Sequence, residues 1–152
     1  MKTTQVKRVL IALDYDETAE KVALQGFAMA KAMNAEVILL HVISEQPAYY
    51  SSYTYTREWQ VDIISDLRVA IQKFLDKAKR QLGDESIRTE IEFGDIAYVI
   101  LGTAKDLNAD IIVMGSHSRK WLENIILGSQ AADVLKKTTI PLYIIPTKKQ
   151  DW

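Results

Sequence analysis

The sequence predicts an α/β domain built on a parallel sheet, and three observations carry that prediction. Short, nearly continuous apolar runs recur along the chain, the pattern of strands buried on both faces. Stretches with apolar residues at spacings of three and four separate those runs, the pattern of amphipathic helices. Six glycines and three prolines are few for 152 residues, and most of them punctuate the elements. Strand and helix alternate four times before a closing strand. That alternation implies right-handed crossovers and helices on both faces of one sheet, in one domain spanning residues 1–152.

Residues 9–13 (Val-Leu-Ile-Ala-Leu) are the first apolar run, ended by the polar cluster Asp14-Tyr-Asp-Glu-Thr18. Helical spacing follows over 17–33, with Val22, Gly26, Met29 and Met33 on one stripe and Asp16 as the expected N-cap. Gly26 costs about 1 kcal/mol against Ala inside a helix, so its place on the packed face implies a close helix–sheet approach. Residues 36–43 form a second buried strand. Residues 44–56 are irregular and hold Pro47 with Tyr49, Tyr50, Tyr53 and Tyr55; Trp59 lies just behind. Two readings stand for them, a variable loop or a contact surface. A long helix is expected over 57–82, with Ile64, Leu67, Ile71, Phe74, Leu75, Ala78 and Leu82 on one stripe and Gly83 as its stop.

Residues 87–93 alternate with period two, so this third strand belongs near a sheet edge. Gly94-Asp95 turns the chain into a helix that runs to about Leu107, capped by Asp95. Residues 110–114 are a fourth, fully apolar strand. A connection from Gly115 to Gly128 leads to a last helix over 129–137. A fifth strand, 142–145, lies between Pro141 and Pro146.

Composition narrows the function classes. Net charge is −1, with 26% charged and 48% apolar residues, an ordinary globular balance that gives nucleic acid no bulk positive charge to bind. The absence of cysteine excludes disulfides, thiolate metal sites and a cysteine nucleophile. No run approaches the roughly 18–20 apolar residues of a membrane helix. The apolar run behind the basic start, Met1 to Arg8, is shorter than the ~7–15 residues of a signal core. The cytoplasm is the expected location.

Ligands of an open parallel sheet bind beyond the carboxyl ends of its strands, where strand order reverses. If strands 1 and 4 flank that switch, Asp14–Glu17 meets Gly115–Gly128; in a flavodoxin-like order the loops after strands 1 and 3 meet instead. The residues favour the first. Gly115-Ser-His-Ser118 and Gly128-Ser129 at a helix start offer main-chain N–H groups, hydroxyls and a positive dipole end, the ingredients of a phosphate cradle. The same Ser129 read alone is a plain N-cap. Neither Gly-x-x-x-x-Gly-Lys-Ser/Thr nor Gly-x-Gly-x-x-Gly after strand 1 occurs, against a P-loop NTPase or a Rossmann dehydrogenase.

Asp110-Ile-Ile-Val-Met-Gly-Ser-His-Ser118, nine residues, then Gly128-Ser129 resemble the nucleotide loop of the universal stress protein family. The ATP-binding branch of that family carries G-x2-G-x9-G-[ST]; here Gly115, Gly128 and Ser129 keep the spacing and Ser118 replaces the second glycine. Ala12-Leu-Asp14, Leu40-His-Val42 and Gly94-Asp95 agree with the family at the ends of strands 1, 2 and 3, so the resemblance runs over residues 7–146. It implies a Rossmann-like (adenine nucleotide alpha hydrolase-like) fold with a five-stranded parallel sheet in the order 3-2-1-4-5. It implies adenine near Asp14 and the backbone of Val42, with Ala12 and Leu13 beside them. Ribose and phosphates would lie along Met114, Gly115, His117, Ser118, Gly128, Ser129 and Gln130. It implies ATP or a related adenine nucleotide, with Mg²⁺ or Mn²⁺. It also implies a homodimer joined through Leu142, Tyr143, Ile144 and Ile145, and a role in stress regulation that can include a protein partner.

The departures bear on this. Ser118 puts a Cβ where a phosphate approaches, yet keeps the N–H and adds a hydroxyl. Asp16 stands where the family often has Ser, and both cap helices. Arg119 and Lys120 either neutralise phosphate or form a solvated turn. His117 is a loop imidazole, and His41 a packed or capping histidine at a strand end. No catalytic residue and no protein ligand for a metal is assigned, so at most slow ATP hydrolysis is expected. Ser118 keeps open a second class of function, a universal stress protein that binds no nucleotide and acts by protein–protein contact alone.

Overall fold

Apolar runs with no polar alternation require a sheet covered on both sides, and the computed structural model shows that cover. It describes residues 2–44, 57–116 and 127–147, the first four residues of the second span by backbone alone. The elements are β1 (Arg8–Ala12), α1 (Ala19–Ala32), β2 (Glu36–Ser44), α2 (Arg57–Leu82), β3 (Arg88–Gly94), α3 (Ile96–Asp106), β4 (Ile111–Gly115), α4 (Ser129–Lys137) and β5 (Leu142–Ile145). All four strand pairings are parallel, in the order β3-β2-β1-β4-β5. The tyrosines of segment 45–56, together with His117, Ser118, Arg119, Lys120 and Trp121, lie outside the described residues.

Side chains alternate across each strand, so one strand feeds two cores. Val9, Ile11 and Leu13 of the β1 region join Val37, Leu39 and Ile43 of β2 beneath α1 and α2, where Val22, Ala23, Ile71 and Leu75 meet them. Leu10, Ile38, Leu40, Val42, Ile112 and Met114 point the other way, against Ala97, Ile100 and Ala104 of α3 and Ala131 and Val134 of α4. The third strand lies at an edge of the sheet, as its period-two pattern predicts; β5 forms the other edge.

The long helix occupies its expected span, Arg57–Leu82, and its stripe meets the core through Leu67, Ile71, Phe74, Leu75, Ala78 and Leu82. A Cβ built on Gly26 would stand 2.8 Å from Ile11 Cδ1 and 3.1 Å from Val113 Cγ1, the close approach its position implies. Asp95 caps α3, its carboxylate accepting the Tyr98 N–H at 3.0 Å.

One expected cap and one alternative cap reading are placed differently. The helix expected over 17–33 begins at Ala19, with Thr18 at the N-cap position and no side-chain cap bond there. Asp16 instead closes the preceding turn: its Oδ1 accepts Thr18 N–H at 2.8 Å and Thr18 Oγ1–H at 2.5 Å. That turn satisfies one N–H of the helix start from outside the helix. Likewise Ser129 is not the cap of α4. Gly128 holds that position, at φ −64° and ψ 158°, and Ser129 is the first helical residue.

Candidate functional site

The strand order puts the carboxyl ends of β1 and β4 side by side, with β2 beyond β1 and β5 beyond β4. Helix α1 leaves from β1 to one face and α4 follows β4 on the other. The crevice between them is therefore the topological switch where ligands of such sheets bind.

One wall of the crevice is made by the end of a hydrogen-bond ladder. Leu13 N–H donates to the Leu40 carbonyl at 2.8 Å, the last rung between the β1 chain and β2. Main-chain groups alternate sides along a strand, so Val42 presents its N–H and C=O toward β1 as Leu40 does. The next rung would join Val42 N–H to the Leu13 carbonyl. His41 Nδ1–H takes that carbonyl instead, at 2.7 Å. Among the described residues Val42 N–H has no main-chain partner on that side. The histidine is thus the packed, bonding residue expected, and its bond sets where the ladder stops.

The turn after β1 is held from several directions. The Tyr15 ring packs edge-on to His41 at 6.4 Å between centroids and against Phe74 of α2 at 5.1 Å. With the Asp16–Thr18 turn behind it, this fixes the backbone that carries Asp14, whose side chain is exposed.

The opposite wall is the start of α4. The first intrahelical bond runs from Ala132 N–H to the Gly128 carbonyl at 2.9 Å. The N–H groups of Ser129, Gln130 and Ala131 therefore have no acceptor within the helix. A glycine at the N-cap supplies no side-chain acceptor either. Three N–H groups and the positive end of the helix dipole are presented together, which is how a helix start receives an anion.

Two buried polar side chains, Ser116 and Thr147, stand behind this wall. Ser116 N–H donates to the Ile145 carbonyl at 2.9 Å, and its own carbonyl accepts Gly128 N–H at 3.0 Å. Its hydroxyl oxygen accepts Thr147 N–H at 3.0 Å. The Pro146 carbonyl between them accepts from the Lys21 ammonium of α1. Among the described residues no group of three or more His, Asp or Glu is arranged to hold a metal ion.

The sequence matches the universal stress protein family over residues 5–146. The chain belongs to that family. Universal stress protein MJ0577 of Methanocaldococcus jannaschii is 32% identical to it, over 93% of this chain and 96% of that protein. The solved structure of MJ0577 superimposes with a TM-score of 0.79 at 30% identity, covering 97% of this chain and all of that one. Two further solved structures share the fold. One is the universal stress protein from Archaeoglobus fulgidus in complex with dAMP, at TM-score 0.59, 19% identity, and coverage of 93% and 99%. The other is a universal stress protein in complex with cAMP, at TM-score 0.67, 18% identity, and coverage of 95% and 100%.

In this universal stress protein the residues expected at the site divide in two. Leu13, Val42 and Met114 are buried in the two core clusters, and Ala12 is half-buried against one of them, so their side chains serve packing. Asp14, Ser129 and Gln130 are exposed at its rim and Gly115 is half-buried at the end of β4. Ser116 belongs to the stretch expected to offer hydroxyls to a phosphate, but its side chain is buried and bonds to Thr147; the roles of Thr147, Lys21 and Tyr15 carry no signal in the sequence pattern. The available signal for Ser116 was its place directly behind a fully apolar strand, where a polar side chain is buried and must find partners.

Proposed function

We propose that this universal stress protein binds an adenine nucleotide, ATP or a close relative, and acts as a regulatory protein of the stress response rather than by turnover. One observation carries the proposal. Helix α4 starts at a glycine, with no side-chain cap bond among the described residues, at the switch point of the sheet and beside Gly115. The other wall adds the Val42 main-chain edge, which suits the donor and acceptor edge of a purine base. The adenine nucleotides dAMP and cAMP bound to two structurally similar universal stress proteins support the same ligand class. The site thus comprises Ala12, Leu13, Asp14, Val42, Met114, Gly115, Gly128, Ser129 and Gln130, with His117, Ser118 and Arg119 on the connecting segment. Mg²⁺ or Mn²⁺ accompanies the nucleotide through its phosphate oxygens.

The functional unit is a homodimer formed at the β5 edge. Leu142 and Ile144 are half-buried and Tyr143 is 42% exposed there, on a strand at the edge of the sheet that a second copy can cover. No helix among the described residues is long and apolar enough to cross a membrane, and the cytoplasm remains the proposed location.

Calorimetric titration of the purified chain with ATP, ADP, AMP and cAMP tests the reading. Saturable heat for at least one of them is expected, and none for guanosine nucleotides. No heat for any adenine nucleotide overturns it. That result would favour the other reading, to which Ser118 in place of a glycine points: a universal stress protein acting through protein contact alone.

A further inference from the structure

We propose that Ser116 is a positioning residue for the phosphate end of the site, joining the end of β4, the start of α4 and the exit of β5 through three hydrogen bonds. This deepens the nucleotide reading above and rests on it. All three hydrogen-bonding parts of the residue are used, two on the end of β5 and its exit and one on the start of α4. The N–H goes to Ile145, the carbonyl takes Gly128 N–H, and the hydroxyl oxygen takes Thr147 N–H. Ser116 and Thr147 are 7% and 8% exposed, so water cannot readily replace these bonds.

The bond to Gly128 decides which N–H groups α4 offers a ligand. Gly128 N–H is consumed inside the protein, so the free set starts at Ser129 and is aimed by the place where Ser116 holds the glycine. Ser116 in turn is held by residues 145 and 147, and Lys21 binds the carbonyl of residue 146 from α1. Three consecutive residues at the end of β5 and just past it, Ile145, Pro146 and Thr147, are tied to Ser116 and to α1 together. Removing the Ser116 hydroxyl leaves Thr147 N–H buried without its acceptor and frees one side of that assembly. The α4 N–H groups then lose alignment on the phosphates, while the Val42 edge, on the other side of β1, is untouched.

The test is a titration series of wild type and Ser116→Ala with adenosine, AMP and ATP. For ATP the variant is expected to bind about tenfold more weakly, with adenosine within about twofold of wild type, so that the loss grows with phosphate number. Unchanged ATP affinity in a folded variant overturns the inference and leaves the nucleotide reading intact. So does an equal loss for adenosine and ATP, which marks general destabilisation. If wild type binds none of the three, the nucleotide reading falls and this inference with it. If Ser116→Ala does not fold, amide exchange in the wild type decides. Saturating ATP is expected to slow the Gly128 and Thr147 amides about tenfold and leave the Tyr98 amide at the α3 cap unchanged. Equal effects at all three positions overturn it.

Discussion

Two helices of this protein begin with nearly the same phrase, Gly94-Asp95 for α3 and Gly128-Ser129 for α4, and the structure uses the phrase in two registers. In the first, the glycine ends β3 and the aspartate caps the helix, filling the Tyr98 N–H with its own carboxylate. In the second, the frame slips by one residue. The glycine becomes the cap and the serine enters the helix, so among the described residues the first N–H groups of α4 receive no side-chain cap. The slip follows from the Ser116 carbonyl, which holds Gly128 N–H at 3.0 Å and so fixes where the helix can start. A capped helix start is stable and closed to ligands; one capped by glycine gives up side-chain capping and remains available to an anion.

The strongest way to break this contrast is to make α4 resemble α3. Gly128→Asp puts a carboxylate over the open N–H groups, and its charge opposes phosphate. ATP affinity should fall by about 100-fold or more, read by calorimetry, since a displaced charge-assisted contact and a new repulsion act together. Unchanged affinity would place the phosphates elsewhere. The converse change, Asp95→Ala, opens α3. It should cost about 1 kcal/mol of unfolding free energy in urea, as lost N-caps do, with ATP affinity unchanged. A loss of ATP binding there would erase the functional difference between the two helix starts.

Ser129→Ala separates the two registers directly. A serine at the N-cap would be worth about 1 kcal/mol, whereas an exposed serine at the first helical position is worth no more than ~0.5 kcal/mol, so a near-neutral urea midpoint is expected. The smallest effect concerns Asp84, another carboxylate that takes a main-chain N–H at a turn. Its bonds to the Ser86 hydroxyl and to Lys31, with the Ser86 N–H, hold its pKa down to about 2. A carboxyl lowered on folding adds stability above its unfolded pKa and loses it as pH falls through the folded one. The stability gap between wild type and Asp84→Asn should therefore be present at neutral pH and shrink between about pH 4 and about pH 2. A gap that stays constant over that range would mean the carboxylate charge contributes nothing.

The elements and their order were legible in the residues because each is written locally. Continuous apolar runs such as residues 36–43 mark strands covered on both faces, and the stripe from Ile64 to Leu82 marks a helix of one particular span. The resemblance also led to the right strand order, because its motifs stand at the ends of particular strands. Caps were less legible. Asp95 follows the simple rule, whereas Asp16 serves a turn two residues upstream and Ser129 lies one residue too late. A cap depends on which N–H groups the rest of the molecule has already used.

By itself the sequence determined the alternating α/β architecture, the glycine that lets α1 approach the sheet, and the family, since all of these follow from local pattern or residue identity. Only the tertiary structure decided that the side chains of Leu13, Val42 and Met114 are committed to the core, and that His41 bonds the Leu13 carbonyl where the ladder ends. It also decided that Ser116 ties the β4 end to α4 and to the exit of β5. Those facts depend on hydrogen bonds between residues distant in the chain, and a buried donor or acceptor reveals its partner only when the chain has folded around it.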